Sequence, residues 1–369
     1  MSGNRIARFL HAIRAGSRAH GVPFPAALAR SLALYATGSF SRKEIAGYAL
    51  YAPAVRATLP VLISKERSLA KLAAFNPRSH QHLTEAKDDF HRVCVREGIA
   101  VPATYGWTRG GVPHDAEGRP LGDAAAWGAH LARHAAADFI VKDRDGAYGS
   151  GFRAFRREGD AFVGVEDGTQ LDAAGLGVAL SGERGSDLIV QERLFDHPSL
   201  TAFCGRRGLQ TVRINTLLGE DGGVTILFWM MKILAGRTLS DNFSMGTTGN
   251  LIAFGDGRED GVLAAAVTMH PSGSGLMRIG AHPSTGAAFA GFRLPFWREA
   301  VDLVTAAQRC FPQLRTLGWD VALTGRGPVV IEANARWDPP CYAPQIMSER
   351  WWRAIFGNGG AAAGVRAAG

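Results

Sequence analysis

Residues 138–152 read DFIVKDRDGAYGSGF, an apolar run that ends in a lysine and enters a loop with three glycines in six residues. The run predicts a strand over 138–143, bounded by the glycine loop. Gly146, Gly149 and Gly151 permit the positive φ angles that aim successive backbone amides inward, the arrangement that cradles phosphate. Lys142, at the strand end, supplies a mobile point charge for the same phosphates. A Walker loop places its lysine after the glycines, and a protein kinase carries it on the following strand, so neither pattern fits. A plain flexible hairpin would account for these glycines equally well until the rest of the chain is read.

The second informative stretch is GWDVALTGRGPVVIEANARWDPP at 318–340, two strands joined by a Gly-rich turn. Residues i and i+2 of a strand share a face, so Glu332 and Asn334 project together. A hairpin brings Asp320 onto that face too, giving three hard oxygen donors against an otherwise apolar sheet. Such a set suits Mg²⁺, with Mn²⁺ as a substitute, shared with nucleotide phosphates. An ordinary amphipathic hairpin with a solvated polar face competes with that reading.

Around these two stretches the pattern is α+β. The first eighty residues read as helices. Ile6, Phe9, Leu10 and Ile13 follow the helical apolar spacing, and Ser41 is an N-cap for a further helix. TEAKDDFHRVCVREG predicts one helix closing at Gly98, followed by a short strand in IAVPATYGW. A helix over 122–135, strands at 151–156 and 161–165, and the apolar strand DLIVQERL follow. Strands at 211–219 and 223–235 and a helix at 296–309 precede the hairpin. The expected order is a basic helical region over 1–80, a small mixed lid-bearing unit over 81–190, a larger antiparallel unit over 191–357 and a flexible Gly/Ala tail over 358–369.

Composition bounds the function. At 369 residues, 46% apolar and 20% charged, the chain is globular and large enough for several subdomains. Its best early apolar run, PAALARSLALYATG, is interrupted by Arg30, so neither a membrane span nor a signal peptide is expected. Four scattered cysteines without metal-ligand spacing fit a reduced, cytoplasmic setting. The net charge of +8 is uneven: residues 1–80 carry 12 Lys/Arg against 2 Asp/Glu, and the remainder sums to −2. A basic region favours an anionic substrate or an anionic membrane surface. The plainer expectation is a helix packed on its own protein with a solvated basic face. No zinc-finger spacing or aromatic RNA-binding motif supports nucleic acid as a partner.

Taken together, FIVKDRDGAYGSGF, DLIVQERL and the hairpin resemble the ATP-grasp superfamily over about residues 81–345. That family sets its lysine on a strand before a glycine loop that closes over ATP, while the metal residues wait on the other subdomain. HPSTG, GWDVALT and IEANARWDPP are most similar to the sugar-transfer-associated ATP-grasp proteins. The resemblance implies an ATP-grasp fold behind a helical N-terminal region, ATP and Mg²⁺ as cofactors, and Lys87 as a second phosphate ligand. It also implies Gln191 and Glu192 at adenine and ribose, and Arg213, Lys232 and Asn242 around the γ-phosphate and acyl group. The activity it implies is an ATP-dependent carboxylate–amine ligase acting through an acyl phosphate, in glycan or peptide-conjugate biosynthesis. Its partners would be a small-molecule, peptide or sugar carboxylate and an amine acceptor. A kinase on the same fold and a non-catalytic nucleotide-binding module of a glycan-assembly system are the competing readings. The helical start replaces the Rossmann-like domain common in the family. His270 and His282 are loop histidines that either line an acceptor pocket or are structural, and Trp319, Trp337 and Cys341 are read as packing residues.

Overall fold

A computed structural model describes residues 3–144, 152–181, 187–236, 240–257, 259–344, 346–349, 352 and 355–356. The N-terminal region is helical, with α1 (Gly3–Ala19), α2 (Phe24–Ala36), α3 (Arg42–Gly47) and α4 (Lys65–Leu72). Ser41 caps α3 in a reciprocal box: its side chain accepts from the Glu44 amide, and the Glu44 carboxylate accepts from the Ser41 amide at 2.8 Å. The apolar stripe expected on α1 divides. Phe9 and Ile13 pack into a local core with Val22, Ala27, Phe40 and Ile45, whereas Ile6 and Leu10 face outward. Two of the four stripe residues are thus covered and two are not.

The helix expected over 84–98 is broken. Ala86 takes an extended conformation (φ −82°, ψ 107°) and separates α5 (His82–Glu85) from α6 (Lys87–Arg96). Gly98, at φ +70°, ends the segment as expected, since only glycine enters that region freely.

The first sheet contains β1 (Thr104–Arg109), β2 (Val112–His114), β3 (Asp138–Asp143), β4 (Arg153–Glu158), β5 (Ala161–Gly164), β6 (Gln170–Leu171) and β7 (Leu188–Glu192), in the order β2-β1-β7-β3-β4-β5-β6. Helices α7 (Ala124–His134) and α8 (Ala173–Ser181) back it. They approach backbone to backbone: a Cβ on Gly128 would lie 1.8 Å from the Ala173 carbonyl oxygen. This unit mixes two helices with seven antiparallel strands.

After α9 (Pro198–Cys204), the second sheet contains β8 (Thr211–Leu218), β9 (Val224–Ile233), β10 (Leu251–Phe254), β11 (Ala265–Met269), β12 (Leu276–Ile279), β13 (Thr316–Thr324) and β14 (Gly327–Asn334), with α10 (Trp297–Arg309) between β12 and β13. Its order is β12-β11-β10-β9-β8-β13-β14, again antiparallel. Alternation sorts each strand. Leu317, Trp319, Val321 and Leu323 of β13 join Val212, Ile214, Trp229 and Met231 in the core under α6 and α10. The opposite face is covered at one end by residues around Ile63, Leu72, Phe75 and Trp337 and is open to a cleft at the other. Asn76 clasps this arrangement. Its buried amide donates to the Thr316 carbonyl (2.6 Å) and the Ala335 carbonyl (2.7 Å), and its oxygen accepts from the Thr316 amide. Trp319 and Trp337 are both buried, as expected of packing residues.

Candidate active site between the two sheets

A cleft of about 180 Å³ runs between the two sheets. From the first sheet β3 contributes Lys142. Phe139 and Val141 point into that sheet's core, so Ile140 and Lys142, one residue out of phase, face the cleft. The strand end is anchored to the start of α6. Lys87 Nζ donates to the Arg144 carbonyl (3.1 Å), and Arg144 Nε donates to the buried Asp88 carboxylate (2.7 Å). Lys87 and Lys142 therefore share one wall. Burial lowers the Lys142 ammonium to about 8; Glu332 offsets part of that loss and Lys87 adds to it. Gly146, Gly149 and Gly151, expected to cradle phosphate, lie outside the described residues.

Strand β7 brings Gln191 and Glu192 to the same cleft, beside the apolar side chains of Pro102, Ile140, Leu194 and Ile331. The Gln191 amide nitrogen donates to Thr104 (3.0 Å), while its oxygen is buried without a hydrogen-bond partner. An unpartnered buried acceptor is costly unless a ligand or water meets it. The Glu192 carboxylate is already engaged, accepting from Arg326 in the β13–β14 turn and from the Ala103 amide.

The facing wall is a row across the second sheet. Arg213 on β8 pairs with Asp320 on β13, which pairs with Glu332 on β14. The last pairing depends on a β-bulge. Counting back from the turn in strict register would set Ile331 opposite Asp320, but the shift between Asp320 and Val321 sets Glu332 there. Both Ile331 and Glu332 consequently line the cleft. Arg213 grips Asp320 with two hydrogen bonds (Nε at 2.5 Å, Nη2 at 2.7 Å), and Lys232 on β9 donates to the same carboxylate at 3.0 Å. Lys232 also lies 3.7 Å from Asp241, whose other oxygen accepts from the Thr211 amide and hydroxyl. Burial opposes every one of these charges. For Asp320 the two cations outweigh it and hold the carboxyl well below the usual range. For Arg213 and Lys232 the carboxylates outweigh it and raise both. Glu332 stands on the losing side: burial and the adjacent Asp320 charge both push its carboxyl up.

That imbalance bears on a metal. Asn334 sits beside Glu332, with 3.3 Å between its amide nitrogen and a Glu332 oxygen. Two facing carboxylates and a carboxamide are hard oxygen donors, and Glu332 lacks the positive charge that a dication would bring. The residues fit Mg²⁺ at the Glu332–Asn334 end, with Asp320 shared with Arg213 and Lys232. Among the described residues no cluster of three or more His, Cys, Asp or Glu side chains suits a metal, so this trio counts only two carboxylates.

Lys87, Lys142, Gln191, Glu192, Lys232, Asn242, Asp320 and Glu332 all line the one cleft. Arg213 and Asn334 stand one step along the sheet, touching Asp320 and Glu332 respectively. Asn242 precedes a tight turn in which Ser244 and Met245 both have positive φ (45° and 55°). Its carbonyl accepts from Thr248 and Asn250. Sequence reasoning missed Asp241, Arg206 and Arg207, which also line the cleft. Asp241 adjoins Asn242 in SDNFSMG, and that adjacency was the available signal. His282 is buried and His270 rests against the His20 ring, with centroids 5.0 Å apart; neither lines the cleft. Cys341 is part-buried and its thiol is pushed up by burial, which fits a packing role.

With this geometry in hand, comparison with known proteins is specific at the level of the family. The family described as sugar-transfer associated ATP-grasp matches residues 67–350, and the chain belongs to it. Its fold is accordingly the ATP-grasp fold, here preceded by helices. No curated protein matches the chain. Among solved structures it is similar to a biotin carboxylase–β,γ-ATP complex from Campylobacter jejuni, at 11% identity and a TM-score of 0.44, covering 91% of this chain and 69% of that one. It is also similar to an N5-carboxyaminoimidazole synthetase from Staphylococcus aureus complexed with ADP, at 10% identity and a TM-score of 0.40, covering 76% and 53%. An ADP complex of N5-carboxyaminoimidazole ribonucleotide synthetase matches at 11% identity and a TM-score of 0.37, covering 69% and 45%. The chain spans about half the length of most of these solved proteins. Among the described residues no helix is long and apolar enough to cross a membrane.

Proposed function

We propose that this chain is an ATP- and Mg²⁺-dependent ligase that activates a carboxylate as an acyl phosphate and passes the acyl group to an amine. The observation that carries the reading is the opposition, across one cleft, of the under-neutralised cation Lys142 and the oxygen-donor pair Asp320 and Glu332. A carboxylate is a poor electrophile because its oxygen leaves badly; transfer of the γ-phosphoryl group to that oxygen, with ADP departing, cures this. Attack by the amine nitrogen on the acyl carbon then expels inorganic phosphate. Little covalent work falls to the protein, so positioning and charge dominate.

Lys87 and Lys142 hold the phosphate oxygens from the first sheet. Glu332 and Asn334, with Asp320, would hold Mg²⁺, which neutralises phosphate charge when bound. Lys232 and Asn242 line the cleft, and in this reading their ammonium and amide stabilise the negative oxygen that develops on the acyl group. Arg213 acts from behind, fixing the Asp320 carboxylate. Pro102, Ile140 and Ile331 supply apolar walls for the base, and the free Gln191 oxygen accepts from an exocyclic amine.

The test is product analysis with a panel of amino acids, uronic acids and short peptides. The expected result is ADP and inorganic phosphate, with hydroxylamine trapping a hydroxamate when acid is present and amine is withheld. AMP as product would overturn the mechanism. A stable phosphorylated hydroxyl would assign the same site to a kinase. A glycan or peptide-conjugate product accords with the family's description.

A further inference from the structure

The helical N-terminal region carries a second feature, unrelated to the cleft. Residues 1–43 contain seven Lys/Arg and no Asp/Glu. Among the described residues eight large apolar side chains are exposed, and four of them belong to α1 and α2: Ile6 (48%), Leu10 (38%), Leu32 (50%) and Tyr35 (46%). Random scatter over the chain would not concentrate half of them in its first tenth. On α1 the positions Ile6, Leu10, Arg14 and Arg18 stand four apart and all are exposed, forming one row that is apolar at one end and cationic at the other. Arg8, Arg30 and Lys43 are also exposed. The inward stripe of α1 is already used, since Phe9 and Ile13 fill the local core, and the outward row stands outside that core.

We propose that this α1–α2 face docks the protein on an anionic membrane surface. Exposed aliphatic and tyrosyl side chains beside a set of exposed basic residues, in a segment whose sequence holds no Asp or Glu, match the two demands of that surface: apolar insertion at the acyl boundary and attraction to acidic headgroups. A nucleic acid would use the charge but leave Ile6, Leu10 and Leu32 in water. The same region is fixed to the catalytic half by its other side. Ser274 Oγ donates to the Ala46 carbonyl (2.7 Å), Tyr51 and Ser274 share a hydroxyl hydrogen bond (2.8 Å), and a Cβ on Gly47 would meet Met245 Sδ at 3.0 Å. Docking would thus hold the turn that follows Asn242 at a set distance from the bilayer.

The experiment is co-sedimentation of the full chain with vesicles of phosphatidylglycerol and phosphatidylcholine, against vesicles of phosphatidylcholine alone. Binding to the anionic vesicles alone is expected, lost in high salt because the Debye length falls from about 8 Å to about 3 Å. Arg8→Glu, Arg14→Glu and Arg18→Glu together should weaken partition about tenfold or more, each basic residue contributing near the surface. Ile6→Ser with Leu10→Ser and Leu32→Ser should weaken it about threefold or more at unchanged charge. ATP affinity, measured in parallel, should be unchanged in both, which separates this surface from the ligase reading. Should the charge-reversed protein unfold, the Arg→Gln set supplies the same comparison. No partition by the unaltered chain, or partition indifferent to either set, overturns the proposal. Binding to heparin or DNA with the same salt dependence, insensitive to the serine set, would assign a polyanion site and equally overturn it.

Discussion

Lys142 and Lys232 line the same cleft from opposite sheets, yet burial leaves them in opposite electrostatic states. Lys232 touches Asp320 and stands near Asp241, and these carboxylates raise its ammonium above the ordinary lysine value despite burial. Lys142, part-buried in the cleft wall, is compensated only in part by Glu332, and its ammonium falls to about 8. One lysine belongs to a network in which two carboxylates offset its burial. The other is offset in part by Glu332 and opposed by Lys87. The Arg213–Asp320–Lys232 cluster of the second sheet is therefore internally compensated, whereas Lys142 on the first sheet and Glu332 at the edge of the second are not.

The largest expected effect tests the compensated cluster. Asp320→Ala leaves Arg213 and Lys232 buried with a single remaining acidic neighbour in contact range, and breaking a buried pair costs about 3–5 kcal/mol. Urea unfolding should show a loss of that order. A loss below about 1 kcal/mol would mean the network does not hold the sheet together and would dissolve the contrast.

Lys142→Met tests the uncompensated lysine. Removing a desolvated ammonium should weaken ATP binding by about 2 kcal/mol in calorimetry while leaving stability unchanged or higher. The pH dependence sharpens this. The folded state binds the Lys142 proton less tightly than the unfolded chain, so its penalty is full below about pH 8 and vanishes above the ordinary value of 10.5. Stability should rise with pH across that window while ATP affinity falls, because the cation is being lost. Both trends should flatten in Lys142→Met; parallel trends in the unaltered protein would refute the assignment.

Arg326→Ala probes the contact that joins the halves, where Arg326 donates to Glu192. The Arg326 side chain is 70% exposed, so solvent screens the pair and the expected cost is under about 1 kcal/mol. A larger loss, read by thermal unfolding, would show that the sheets are braced before ligand binds.

Much of this contrast could be read before folding was considered. Strand β3 announces itself by its apolar run and the glycines after it, and Lys142 by its position at the end. Ser41 and Glu44 spell a capping box, and Glu332 and Asn334 share a face by simple period. What could not be read was two-dimensional. The approach of Glu332 to Asp320 requires the bulge at Ile331, and nothing in VVIEAN marks which residue is the extra one. The break at Ala86 places a helix former in an extended conformation, which no local propensity favours. Strands β10, β11 and β12 are four or five residues long between Gly-rich segments, so their pairing rests on neighbours supplied from elsewhere. The exposure of Ile6 and Leu10 has the same origin: periodicity identifies an apolar face, but only packing decides how much of it is covered.

Asn76 carries a consequence for the order of events during synthesis. Its carbonyl partners, at Thr316 and Ala335, follow it by 240 and 259 residues. At about 5–20 residues per second a ribosome needs roughly 12–50 s to deliver them. For most of that interval the N-terminal helices are outside the ribosome while the clasp that joins them to the second sheet cannot close. The segment translated first is therefore among the last to reach its final place, and the nascent chain must keep the apolar residues around Leu72 and Phe75 from other company until β13 and β14 emerge.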